Sequence, residues 1–264
     1  MNNWLSFPLI IIVLVAIAAA TGWFVNGFYD GNAETMSVKF RVYDLVLLTF
    51  VTPLSLITFL LARTGRVAPK MFLLGILIYL AFSYGVNVFN CYQNQLFLVY
   101  VAIFSLCSIV SFLGFVDMTD GIQELSNLKL MKIAAVILLL IAVSGYRFWL
   151  TDAVIAIIKG GLSPSVVGMN LPVNAAQVLD IGFMLPLTIF GAIKLWHSQP
   201  LGLVISTATL VFFVLISISV IVMEIGLKLN GFEMDPGKLY GFGATIIMSS
   251  VITILIYRAI ISMS

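Results

Sequence analysis

The chain has 264 residues, of which 62% are hydrophobic and only 9% are charged, and its formal net charge is +2. This composition lies far outside the range of soluble domains, so a water-soluble core is excluded as the main unit. The small charge and the lack of dense Lys/Arg runs exclude a nucleic-acid partner. We therefore expect the lipid bilayer to be the solvent.

Apolar stretches of about 20 residues, the length that carries an α-helix across the hydrocarbon core, recur along the chain. We expect eight spans, near residues 7–28, 43–62, 71–92, 95–116, 131–150, 176–196, 201–227 and 240–261. They are helices because each backbone amide in hydrocarbon must find a partner within its own segment. The sequence predicts an all-α, polytopic membrane helical bundle forming a single transmembrane domain over residues 1–264.

The orientation signal is weak. The short connection ARTGRVAPK places three basic residues between the second and third spans, and short basic connections remain in the cytoplasm. We therefore expect both termini to be cytoplasmic. The opposite, outer face then collects most of the acidic residues.

Two spans share a pattern that indicates an internal repeat. FVTPLSL begins at Phe50 and FMLPLTI begins at Phe183, and each combines Phe, Pro, Leu, a hydroxyl residue and an aliphatic residue in the same order. A four-plus-four duplication would give halves 1–130 and 131–264, and an even number of spans per half would make them parallel. The alternative is that apolar helices resemble one another through composition alone.

Three stretches carry a resemblance to a known family: VYDLVLLTFVTPLSLITFLLARTG, LIYLAFSYGVNVFNCYQNQLFLVYVAIFSL and LPVNAAQVLDIGFMLPLTIFGAIKLW. Through them, about a third of the chain resembles a widespread family of uncharacterised bacterial multi-span integral membrane proteins. The resemblance implies a bacterial cytoplasmic (inner) membrane. It implies no activity, cofactor or site residue.

Polar side chains gather where the third span turns into the fourth, in GVNVFNCYQNQLF. Tyr84, Asn87 and Asn90 fall on one helical face, and the amides that follow suit a tight turn. Asn87 lies deeper, where an unpaired amide costs about 1–3 kcal/mol. It must meet another helix or water in a cavity, and for Asn87 and Tyr84 both interhelical bonding and ligand contact remain open.

Three acids lie within or near spans, where ionisable residues are functional candidates by default. Asp180 falls about one turn inside the sixth span, and the alternative is a first-turn acid facing the helix dipole, with Asn174 as N-cap. Asp44 lies nearer its expected helix start, which favours a capping role. Glu224 falls near the outer end of the seventh span.

Arg147 is the cation expected to pair with these acids. It stands between Tyr146 and Trp149 at the outer end of the fifth span, so interfacial anchoring is the alternative. If the spans close around a common axis, Arg147 reaches Asp180 or Glu224, and a paired charge is cheaper in a membrane than a single one.

Parts for enzymatic chemistry are missing. The only histidine, His197, follows Trp196 at a helix exit, and neither a paired histidine set nor a nucleophile turn appears. Cys91 and Cys107 are expected to lie too far apart for a disulfide. We expect no metal site and no cofactor, and an intramembrane lipid-modifying enzyme is the weakest interpretation.

We expect a small-solute or ion transporter, or a channel-like protein, with an outward-facing polar cavity and proton coupling through Asp180. The candidate ligand-binding residues are Asp180, Arg147, Glu224, Asn87, Asn90, Asp44 and Tyr84. The alternative is a membrane-embedded sensor or scaffold that performs no transport. Such a module would contact a protein partner through the cytoplasmic loop 117–130, whose acids are Asp117, Asp120 and Glu124.

Overall fold

A computed structural model describes residues 3–121 and 127–261 of the chain. Within these ranges eight helices are long and apolar enough to cross a membrane, which confirms the predicted polytopic bundle. The helices are α1 Pro8–Phe24, α2 Glu34–Ala62, α3 Val67–Asn90, α4 Phe97–Gly121, α5 Leu128–Lys159, α6 Ala175–Trp196, α7 Pro200–Leu229 and α8 Pro236–Ile261. Two short 3-10 helices, Asn3–Ser6 and Pro164–Val166, complete the described secondary structure.

Within each set of four helices, α1–α4 and α5–α8, every helix packs against the next one along the chain, so each set runs up and down. Four connections gather at one end, here called the upper end: residues 25–33, 91–96, 160–174 and 230–235. The connections 63–66 and 197–199, together with the first and last described residues, lie at the lower end.

The centre of the bundle is formed by α3 and α7, the most enclosed of the eight helices. A Cβ on Gly75 of α3 would stand 2.5 Å from the Val211 side chain and 2.8 Å from the Ala208 carbonyl oxygen of α7. Glycine therefore permits the close approach of these two backbones. In lipid such contact holds helices together by dispersion and packing, since the solvent is itself apolar.

Helix contacts in the first half recur between the corresponding helices of the second half. The pairs α1–α2, α2–α3, α3–α4 and α1–α4 correspond to α5–α6, α6–α7, α7–α8 and α5–α8. Between the halves α3 packs against α7, and the contacts α2–α7 and α4–α7 correspond to α6–α3 and α8–α3. The pattern is that of two parallel four-helix units that meet at α3 and α7. A duplicated origin of residues 1–130 and 131–264 stays a prediction.

Two helices extend further than the hydrophobic pattern indicated. Helix α2 begins at Glu34 instead of near residue 43. Polar side chains in its first turns are tolerated because they lie outside the hydrocarbon, and no Pro or Gly interrupts residues 34–43. Helix α5 continues to Lys159 and ends where Gly160 adopts a left-handed backbone, φ 64°. The segment TDAVIAII is thus the last part of this helix.

Both proline-containing spans carry a π-helical turn just before the proline. In α2 the turn is Leu47–Val51, and the Thr52 N–H closes it by donating to the Leu47 carbonyl. In α6 the turn is Asp180–Met184, closed by the Leu185 N–H on the Asp180 carbonyl. Pro53 and Pro186 follow at the same offset, so the wider turn accommodates a ring that cannot donate a hydrogen bond.

Hydroxyl groups complete both turns in the same way. Ser55 Oγ donates to the Val51 carbonyl at 2.6 Å, and Thr188 Oγ1 donates to the Met184 carbonyl at 2.7 Å. The shared pattern found in the sequence therefore has a shared local structure.

Candidate functional site

The seven predicted site residues all lie in the upper half of the bundle, but they separate into several contact sets. Asp44 and Tyr84 belong to a cluster at α1–α4 that also contains Tyr29, Tyr43, Tyr79 and Tyr100. Glu224 belongs to the start of α8, and Asp180 to the α5–α6 contact. A single polar cavity shared by all seven is therefore not what the described residues form.

Asp44 is the most enclosed acid in the described chain, with only 2% of its surface exposed. Tyr29, from the connection 25–33, folds back and donates its phenol hydrogen to Asp44 Oδ2 at 2.5 Å. The Tyr29 oxygen lies 3.4 Å from the Tyr100 hydroxyl of α4. On the other side Gly22 of α1 approaches so closely that a Cβ there would collide with the carboxylate.

The expected capping role of Asp44 is wrong. Asp44 lies ten residues after the first residue of α2, about 15 Å along its axis, because the helix starts at Glu34. The helix dipole acts only within the first turn, so it does not compensate this charge.

Two pairs of phenol rings lie close together in the same cluster. The Tyr84 and Tyr100 rings lie 5.8 Å apart, and the Tyr43 and Tyr79 rings lie 6.3 Å apart. Tyr79 shares a 2.7 Å hydrogen bond with Ser219 Oγ of α7. The tyrosines therefore form a cluster that begins at the connection 25–33 and reaches the central helix α7.

The hydroxyl of Tyr84 is buried without a hydrogen-bond partner among the described residues. An unmet buried hydroxyl costs about 1–3 kcal/mol, so this hydroxyl is a candidate for contact with water or a bound ion. Of the five clustered tyrosines the sequence singled out only Tyr84. Tyr29 and Tyr100 come from other segments and carry no local signal of their meeting.

Two groups at the upper end have altered acidities. Burial, together with the neighbouring Asp44 carboxylate, raises the pKa of the Tyr29 phenol far above its usual value, so the phenol remains a hydrogen-bond donor. Burial also raises the pKa of the Cys91 thiol to about 11. Cys91 and Cys107 are free cysteines, in keeping with the expected lack of a disulfide.

Glu224 pairs with a cation other than the expected one. Its Oε1 atom accepts a hydrogen bond from Lys238 Nζ at 3.0 Å, and its Oε2 atom accepts from the Asp235 N–H at 3.1 Å. Lys238 forms both of the ion pairs found in the described ranges, the second with Asp235 at 3.9 Å. Glu224 therefore joins the start of α8 to the end of α7.

Asp180 is half-buried and is held by an indole group. Trp149 Nε1 donates to Asp180 Oδ2 at 2.7 Å, and the Tyr146 hydroxyl donates to the Ile181 carbonyl at 3.4 Å. Asn174 is the N-cap of α6, as predicted, and its side chain accepts from the Ala176 N–H. Asp180 itself lies beyond the first turn, at the first residue of the π-helical turn.

The predicted pairing of Arg147 with Asp180 or Glu224 is wrong. Arg147 is exposed on α5 and lies in a shallow depression beside Asp152 and Pro164. The two acids are held by Trp149 and Lys238 instead. The sequence could not reveal this, because the rotation of α5 about its axis places Trp149 inward and Arg147 outward.

The two asparagines of α3 differ in their roles. Asn90 Oδ1 accepts a hydrogen bond from the Ala175 N–H at 3.1 Å, which ties α3 to the start of α6. Asn87 is buried, and its side chain makes no hydrogen bond to any residue in the described ranges. Interhelical bonding is thus the observed role of Asn90, and ligand contact stays a prediction for Asn87.

A cavity of about 410 Å³ lies at the upper end between α1, α2 and α7. Gly22 and Tyr29, the two residues that enclose Asp44, also form part of its wall. Gly22 and Tyr29 therefore lie between the open cavity and the buried carboxylate.

The expected partner loop 117–130 is only partly described. Asp117 accepts a hydrogen bond from Trp4 Nε1 at 3.0 Å, so this acid is engaged within the chain. Asp120 is exposed, and Glu124 lies outside the described residues.

No family model, no curated protein and no solved structure matches this chain.

Proposed function

We propose that this protein is a cation-coupled transporter of a small solute or ion, and that Asp44 is the carboxylate to which the coupled cation binds. The observation that carries the proposal is the isolation of Asp44 inside the bundle. It is 2% exposed, receives a hydrogen bond from Tyr29, and forms no ion pair with any described residue.

The physical argument concerns the cost of a lone charge. An ionised carboxylate in a low-dielectric interior is expensive unless a cation compensates it, and one phenol supplies only part of the lost hydration. A bound proton or small metal cation removes the remaining cost, because it neutralises the charge of the carboxylate. The unpartnered hydroxyl of Tyr84 offers a further oxygen ligand or a contact for water.

Support for a moving structure comes from the pairing of the two halves. Parallel repeats are common in transporters, where one half rocks against the other. The π-helical turns Leu47–Val51 and Asp180–Met184 interrupt both proline-containing spans, and such turns are frequent at functional sites. Asp44 lies one turn before the first of them, and Asp180 begins the second.

The cellular setting is part of the same proposal. We infer a bacterial cytoplasmic membrane with both termini on the cytoplasmic side, which places the cavity beside Tyr29 on the outer face. Fusions of green fluorescent protein and of alkaline phosphatase to the carboxyl terminus test this orientation. Fluorescence with an inactive phosphatase is expected, and the reverse pattern would invert the assignment.

Charge movement on a solid-supported membrane tests the assignment of Asp44. Proteoliposomes receive a jump in proton or sodium concentration, and the wild type is expected to give a transient current that empty liposomes lack. Asp44→Asn should abolish the current, whereas Asp120→Asn, an exposed acid at the lower end, should retain it.

Three results would contradict the proposal. No current with either cation would favour the non-transporting sensor or scaffold. A current that persists in Asp44→Asn would remove Asp44 from the mechanism. A current lost in Asp180→Asn but kept in Asp44→Asn would move the coupling to the acid that the sequence favoured.

A further inference from the structure

The cavity between α1, α2 and α7 has the size and lining of a ligand site. Its volume of about 410 Å³ falls within the range of about 300–1,000 Å³ that is typical of small-molecule pockets. Most of its wall is apolar or aromatic, including Trp23, Phe28, Val42 and Ile225.

Polarity changes along the depth of the cavity. Asp30, Arg41 and Asn230 belong to its upper rim, where the connection 25–33 and the end of α7 meet. Leu45 and Val222 lie one to two turns deeper along α2 and α7. A ligand that matches this wall has a polar head and an apolar tail.

Arg41 supplies a positive charge that the head group of such a ligand would contact. Its guanidinium carbon lies 5.4 Å from the centroid of the Trp23 ring, which restricts the orientation of the group. Neither ion pair found in the described ranges involves Arg41, although Asp30 lies on the same rim. The fork of N–H donors therefore remains available to a carboxylate or a phosphate.

We propose that this cavity binds an amphiphile with a single anionic head group, whose head meets Arg41 and whose tail lies between α2 and α7. The inference extends the proposed transport function by naming a ligand class. Tyr29 forms part of the cavity wall and also covers Asp44, so a bound tail that displaces this phenol exposes the carboxylate to the coupled cation.

Quenching of tryptophan fluorescence by 8-bromooctanoate tests the site, because bromine quenches an indole on contact. The protein is held in phosphatidylcholine nanodiscs, and saturable quenching is expected in the wild type and not in Trp23→Phe. Arg41→Gln should weaken binding at least about tenfold, as expected for loss of a charge-assisted bidentate contact. Arg41→Lys should fall between the two, since it keeps the charge and loses the fork.

The matched control is Arg63→Gln. Arg63 also stacks over an aromatic ring, that of Phe59 at 5.9 Å, but it lies at the lower end and away from the cavity. Its replacement should leave quenching unchanged. Equal affinity for the neutral probe 8-bromooctanol, or binding that survives Arg41→Gln, would overturn the proposal.

Nanodiscs containing phosphatidylglycerol distinguish the source of the head group. Loss of 8-bromooctanoate binding in these discs assigns the site to an anionic lipid, and retention assigns it to a free carboxylate. Both results support an anionic head, whereas no saturable quenching in either disc contradicts it. If binding fails while the Asp44-dependent current remains, the ligand class is wrong and the transport assignment stands.

Discussion

The phenol of Tyr29 lies directly on the carboxylate of Asp44, with 2.5 Å between the two oxygens. One residue belongs to a connection outside the spans and the other to the interior of α2. This contact closes the upper end of the bundle over a buried acid.

Removing the Tyr29 hydroxyl should destabilise the protein. Tyr29→Phe leaves Asp44 without its donor, at a cost of about 1–3 kcal/mol, so the midpoint of thermal unfolding in detergent should fall. Tyr92→Phe is the control, since Tyr92 is 65% exposed at the same end. Equal midpoints for the two variants would show that the Tyr29 hydrogen bond does not contribute to stability.

A methyl group at Gly22 should be poorly tolerated. The Cβ of Gly22→Ala would collide with the Asp44 carboxylate and the Tyr29 hydroxyl, so α1 must move away from α2. We expect a loss of about 1–3 kcal/mol, as for an overpacked core. Gly241→Ala meets no atom within 4 Å and should be neutral or slightly stabilising, since alanine favours helix. Similar unfolding midpoints for both variants would contradict the close packing around Asp44.

Breaking the Lys238–Glu224 pair should loosen the α7–α8 connection. Lys238→Met leaves Glu224, whose side chain is only 5% exposed, without its ion-pair partner, while Lys39 remains as a second cation nearby. The cost of about 3–5 kcal/mol for a fully buried pair is an upper bound, because Lys238 is 30% exposed.

Removing both charges of the Lys238–Glu224 pair tests whether the loss of stability comes from the unpaired carboxylate. The double variant Lys238→Met with Glu224→Gln should unfold at a higher temperature than Lys238→Met alone. Lys228→Met, an exposed lysine that forms no ion pair in the described ranges, should have no effect. A double variant as unstable as the single one would argue against a charge-based penalty.

The indole of Trp149 should be coupled energetically to Asp180. Trp149→Phe removes the donor of a 2.7 Å hydrogen bond and should cost about 1.5–3 kcal/mol, the range for bonds to charged groups. A double-mutant cycle with Asp180→Asn measures the coupling through thermal unfolding. Strict additivity of the two substitutions would mean that the pair does not interact in solution.

Alkylation of Cys91 should be slow at neutral pH. Its thiol has a pKa of about 11 because of burial, so the reactive thiolate is scarce near pH 7 and increases as the pH rises toward 11. The rate of maleimide labelling of the wild type, followed by mass spectrometry, should therefore rise about tenfold per pH unit and continue rising beyond pH 9, where an ordinary thiol levels off. Rapid labelling at pH 7 would show that Cys91 is more open than the structure indicates.

Local features were accessible from the sequence because their causes are local. Eight spans follow from the length of apolar runs, and the helical state follows from the need to pair every backbone amide inside its own segment. The N-cap at Asn174 was equally readable, since a capping side chain bonds to amides in the next turn. The shared Phe and Pro pattern predicted a similarity that the two π-helical turns display.

The partners of the polar side chains were decided only by the tertiary structure. Whether Arg147 or Trp149 meets Asp180 depends on the rotation of α5 about its axis. The sequence does not fix this rotation, because any apolar face of a helix can face lipid. Tyr29 reaches Asp44 only because the connection 25–33 folds back over α1 and α2. Composition and periodicity determine which segments cross the membrane, whereas the lateral packing of finished helices determines which charges are paired and which remain alone.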